Sequence, residues 1–128
     1  MINISKNSVF NLKPIELGTV RDEVNALLID GEEIVAAFKT VRDQLVFTNK
    51  RIISIDVQGL TGKRKEYSSL PYSKVQFYSI QTPGFGEIIA DSELELVFAN
   101  KFTASFEIKG NCDIYAIGKM ISQFVLNS

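Results

Sequence analysis

Histidine and tryptophan are absent from this chain of 128 residues, and cysteine occurs once, at Cys112. Without histidine, the side chain best suited to proton transfer near neutral pH is missing. No Ser-His-Asp or Cys-His arrangement can be built, and common zinc sites lose their usual ligands. A lone cysteine excludes an internal disulfide and suits a reducing compartment. No run approaches the ~18 continuous apolar residues that a membrane-spanning helix requires. The opening Met1-Ile2-Asn3-Ile4-Ser5-Lys6 lacks the basic start and unbroken apolar stretch of a secretory signal. The expected location is the cytoplasm, and no enzymatic activity, metal or cofactor is expected.

Neither sign of charge dominates, with 14 basic and 15 acidic residues. The net charge is −1, which argues against a nucleic-acid partner, since such binders draw affinity from neutralising phosphates. The average conceals a pattern. Residues 39–74 carry a net +5, while residues 1–38 and 75–128 each carry −3. A basic middle lies between acidic ends.

What is present is enough for one domain with its own core, with hydrophobic residues at 45% and charged residues at 23%. Residues 1–14 show no sustained period and read as a flexible arm, with the domain spanning 15–128. Leu17, Val20, Val24 and Leu27 recur at helical steps, so a short amphipathic helix is expected before the Asp30-Gly31 turn. From Ile34 the period shifts toward two. Strands are expected over Ile34–Lys39, from Leu45, over Ile52–Val57, Lys65–Leu70 and Val75–Gln81. Leu94, Leu96 and Phe98 alternate with glutamates, and Asn100-Lys101 turns the chain into the alternating run Phe102–Ile108, a hairpin. Asn111 is the expected N-cap of a closing helix with Asp113 just inside, its apolar stripe being Ile114, Ile117, Ile121 and Phe124. Helix, about seven strands and helix is no βα alternation, which excludes a doubly wound sheet.

Three stretches then carry a resemblance. They are Asp43-Gln44-Leu45-Val46-Phe47-Thr48-Asn49-Lys50-Arg51, Gln58-Gly59-Leu60-Thr61-Gly62-Lys63 and Pro71-Tyr72-Ser73-Lys74-Val75. In this order and spacing the chain resembles the bacterial pleckstrin-homology-like family over roughly Ile15 to Leu126. The resemblance implies a mainly β, PH-like barrel or sandwich of two near-orthogonal antiparallel sheets, a C-terminal capping helix and an extra N-terminal helix. It also implies homo-oligomers, often rings. The chain departs from eukaryotic members in having no tryptophan on its capping helix. Lys39 and Arg42 flank the first hairpin without reproducing the spaced basic motif those members use for phosphoinositides.

Candidate sites divide into two kinds. Lys50 and Arg51 at one turn, with Lys63, Arg64 and Lys65 in a loop, could form a positive patch for an anionic membrane surface or phosphate headgroup. A solvated loop explains three adjacent charges as simply. The second kind is a docking surface for another copy, or for another protein. If Val75 and Phe77 face the core, then Tyr78 and Ile80 point outward; by the same parity Ile52 and Val97 do too. The N-terminal helix offers cover for some of these. Together with the segregated charge they favour self-association, a basic face of one subunit meeting an acidic face of the next. Gly59-Leu60-Thr61-Gly62-Lys63-Arg64 lacks phosphate-loop spacing, and Gly84-Phe85-Gly86 lacks a dinucleotide loop's third glycine, so both read as turns. Glu93 and Glu95 share a strand face as solvated glutamates would. Cys112 stands at a helix start, where a thiol pKa can fall, but an incidental cysteine is the favoured reading.

Overall fold

Apolar alternation becomes strand wherever the period is two, and one further strand joins from the N-terminal side. The computed structural model describes residues 8–84, 91–110 and 112–128. Its strands are β1 (Ser8–Pro14), β2 (Ile34–Lys39), β3 (Gln44–Thr48), β4 (Arg51–Gln58), β5 (Arg64–Pro71), β6 (Val75–Gln81), β7 (Ser92–Phe98) and β8 (Thr103–Ile108), followed by helix α1 (Ile114–Leu126). The sheet order is β5-β4-β3-β2-β1-β8-β7-β6. Two antiparallel halves, β2–β5 and β6–β8, are thus joined through β1. That strand pairs antiparallel with β2, setting Lys13 opposite Lys39. It runs parallel to β8, with Leu12 opposite Ile108.

Two expectations about the N-terminal part are corrected. Residues 8–14 form a strand within the sheet rather than a flexible arm; residues 1–7 lie outside the described residues. The amphipathic helix is replaced by two short 3-10 turns, Leu17–Thr19 and Asp22–Ala26. Val20 and Arg21 between them are extended (ψ 142° and 134°), and neither turn has a side-chain cap. Gly18, Thr19 and Val20 are poor helix formers in sequence, so nothing local propagates a nucleated turn. The inward pattern survives in half the positions: Val20 and Val24 are buried, while Leu17 and Leu27 are exposed.

The core has two compartments. The larger lies between the halves and under α1, and includes Phe38, Phe47, Ile52, Tyr72, Leu94, Leu96, Phe106 and Ile121. The smaller sits on the opposite face of β2–β4, where Val20 and Val24 cover Ala37, Val46, Ile53 and Ile55. Strands β3 and β4 are therefore buried on both faces, which explains their unbroken apolar runs. Helix α1 is anchored by Phe124, whose ring stacks on Tyr72 at 5.2 Å. Its N-cap is Asp113, with Oδ1 accepting the Ala116 N–H at 3.1 Å. The expected cap Asn111 lies outside the described residues.

Candidate functional site

The five expected basic residues do not form one surface. Arg51 pairs with Pro71 at one end of the β4–β5 ladder, and Gln58 pairs with Arg64 at the other. At about 3.3 Å per residue, the seven steps along β4 separate Lys50-Arg51 from Lys63-Arg64-Lys65 by roughly 23 Å. Arg51 is moreover committed elsewhere. Its Nε donates to Glu32 Oε2 at 2.9 Å, and its Nη2 to Glu32 Oε1 at 3.0 Å and Leu27 O at 2.6 Å. Thr48 Oγ1 donates to the same carboxylate at 2.6 Å, and the Ile29 N–H does so at 3.1 Å. Burial alone would raise the Glu32 pKa, but these donors outweigh it and hold it below its ordinary value. Arg51 is a structural cation.

The parity argument for docking residues is also corrected. Ile52 is fully buried in the larger core, because its neighbours Ile53 and Ile55 face the second compartment rather than water. Along β6 the register with β7 shifts between Val75 and Phe77. A bulge of this kind reverses the facing of every residue beyond it. Tyr78 and Ile80 consequently turn inward beneath α1, where the Tyr78 hydroxyl meets Ser122 Oγ at 2.9 Å. Phe77 points out instead and is 56% exposed. Val97, opposite Phe77 on β7, keeps the partly exposed position expected for it.

Among the described residues β5 and β6 are the two ends of the strand order, each bonded to one neighbour. The two edges differ in character. Strand β5 begins with Arg64 and Lys65 just after Lys63. Beside β6 runs a band of carboxylates: Glu93 stands opposite Gln81 and Glu95 opposite Ser79 on β7. Asp91, Glu93 and Glu107 line a shallow cleft of about 220 Å³ there. Burial, then the charges of Asp91 and Glu93, push the Glu107 pKa up, against a smaller opposing pull from Lys109. Strand β6 itself carries no charge; the crowded carboxylates lie on or beside β7 and β8, one and two strands in from the edge.

A third feature lies midway along the sheet. Asn11, Lys13, Lys39, Thr40, Val41 and Lys109 line a cleft of about 480 Å³. Of these, sequence reasoning reached Lys39 alone and assigned it no site; Lys13 and Lys109 belong to the two acidic blocks. Gly59 and Gly62 adopt positive φ in the β4–β5 loop, as turn glycines do. Gly84 is described, whereas Phe85 and Gly86 lie outside the described residues. Burial first, then Asp113, raises the Cys112 thiol pKa, so this cysteine is not activated. Among the described residues no group of three or more acidic or cysteine side chains is arranged to hold a metal ion, and no helix is long and apolar enough to cross a membrane.

Comparison with known proteins places these features in a family. The model of the bacterial PH domain matches residues 3–125. Two uncharacterized proteins of Bacillus subtilis are similar: YjqA, 35% identical over 88% of this chain and 90% of its own, and YozO, 30% identical over 85% and 92%. Among solved structures, a DUF1696 family protein with a pleckstrin-homology domain from Shewanella loihica matches with a TM-score of 0.77 and 34% identity, covering 91% of this chain and 99% of that one. A pleckstrin homology domain from Shewanella amazonensis matches with a TM-score of 0.63 and 36% identity, covering 87% and 89%.

Proposed function

Since the chain belongs to the bacterial PH domain family, we propose that it is a non-catalytic assembly module of the cytoplasm whose partner is a further copy of itself. The supporting observation is that its two free sheet edges are unlike in charge. Strand β5 starts level with the end of β6, and with six antiparallel pairings and one parallel pairing between them the two run in the same direction within one chain. Copies standing side by side in the same orientation therefore bring β5 of one parallel to β6 of the next. Backbone groups at the start of β5 and the end of β6 find partners there, as exposed edges tend to do. Arg64 and Lys65 then lie at the level of Glu93, Asp91 and Glu107 in the neighbour, which relieves the crowding that raises the Glu107 pKa. Phe77 and Val97 supply apolar area on the same side. The contact is heterologous, and when its rotation closes it yields a ring.

Sedimentation velocity at physiological salt and tens of micromolar protein tests this reading. An oligomer that Phe77→Glu shifts to monomer is the expected result. A native chain that sediments solely as monomer rejects it.

A further inference from the structure

We propose that the cleft between the end of β5 and the β7–β8 turn binds an apolar carboxylate. Leu70, Phe98 and Phe102 give it hydrocarbon walls, and its volume of about 350 Å³ is that of a small-molecule pocket. The rings of Phe98 and Phe102 stand 5.9 Å apart between centroids. Leu70 and Phe102 are only partly covered, at the rim of the larger core. Main-chain bonds hold the cleft open in advance of any ligand. The Ala99 N–H donates to Lys74 O at 3.0 Å and the Phe98 N–H to Phe102 O at 2.8 Å, tying the 3-10 turn Tyr72–Lys74 to the β7–β8 turn.

Hydrogen-bond donors gather around these walls, and no carboxylate lines the cleft. Lys74 supplies an ammonium group and is exposed. Asn100 Oδ1 accepts the Phe102 N–H at 3.1 Å, which leaves its own amide N–H groups to donate. Ser69 contributes through its main chain. An antiparallel ladder bonds every second residue to its partner. Since the Tyr72 N–H donates to Lys50 O at 3.4 Å, the alternation turns the main-chain groups of Leu70 toward β4 and those of Ser69 to the free edge. A neutral hydrocarbon leaves these donors unanswered, and a cation finds no countercharge. An apolar body with one negative end satisfies both halves of the lining. Two sources share that chemistry. One is a free acid, and the other is the C-terminal residue of a peptide, whose N–H the Ser69 carbonyl on the same edge would accept. The cleft lies at the end of β5 remote from Arg64 and Lys65, so binding here and assembly stand or fall separately.

Calorimetric titration of the full chain provides the test. The probes are phenylacetate and a glycine-serine peptide ending in phenylalanine with a free carboxylate. Phenylacetamide and the same peptide amidated at its C-terminus are their uncharged counterparts. Each acid that binds should do so about tenfold or more tightly than its amide, the scale of one charged hydrogen bond. Lys74→Gln should lose the same factor, Lys74→Arg should keep most of the affinity, and K63Q should bind as the native chain does. Thermal melts without ligand should be alike for the native chain and K74Q, because Lys74 is exposed. Binding of phenylacetate assigns a free acid; binding of the peptide alone assigns a chain terminus; either supports the site. Failure of both acids to bind, amides that bind as tightly as the acids, or undiminished binding by K74Q overturns it.

Discussion

Glu32 ties the turn end of β3 and β4 to the segment that precedes β2. Its side chain is fully shielded, and Arg51, 21% exposed, supplies the countercharge at 2.9 Å. Arg51→Ala strands a buried carboxylate, and the expected loss is about 3–5 kcal/mol in urea unfolding. The pH dependence follows from the direction of the shift. Because the folded pKa lies below the ordinary 4.5, the stabilisation is complete above that value and is lost as pH falls through the folded one. Acid unfolding of the native chain should therefore steepen below pH 4.5, and R51A should lack that component. Glu107 has the opposite sign. Its folded pKa is raised, so its contribution is present below 4.5 and lost as pH rises through the folded value. Glu107→Gln should stabilise the monomer at pH 7 by about 0.5 kcal/mol, as expected for one partly solvated charge contact, and leave it unchanged at pH 4.

Helix α1 sits so close to β6 that a side chain larger than glycine's must push its neighbour aside. A Cβ at Gly118 would lie 3.1 Å from Ile80 Cδ1. Gly118→Ala should gain about 1 kcal/mol of helix propensity and lose about 1–3 kcal/mol to overpacking, a net destabilisation. In an Ile80→Val background, which removes that methyl, the same substitution should become stabilising; paired thermal melts of the four chains measure the difference. This contact also marks where legibility in the sequence ended. Strands and α1 were legible because period two and period 3.6 are local signals, and Leu94-Leu96-Phe98 admits few alternatives. The bulge before Phe77 was not, since one inserted residue leaves the apolar count intact while exchanging inside for outside. Ile52 misled for a related reason: a strand covered on both faces has no outward parity. Val20 and Val24 marked a covering segment correctly, but their i, i+4 spacing does not separate a helix from successive 3-10 turns. The lysine cleft was invisible because β1 pairs with β8 across almost the whole chain, bringing together Lys39 from the basic block and Lys13 and Lys109 from the two acidic ones.

Across the whole molecule, one curved sheet ends in a basic edge and an acid-flanked edge, and assembly requires those edges to meet between copies. Reversing the β5 charges with Arg64→Glu and Lys65→Glu puts acid against acid, and Glu93→Lys with Glu95→Lys puts base against base. Each pair alone should weaken assembly by at least tenfold, on the scale of a few kcal/mol for opposed like charges. The most direct measurement is native mass spectrometry of the fourfold variant carrying all of these substitutions beside the two double variants. Monomers are expected from each double variant, and the native oligomer is expected to return in the fourfold one. Oligomers of native size from both double variants, or a native chain that is monomeric throughout, would contradict edge-to-edge assembly.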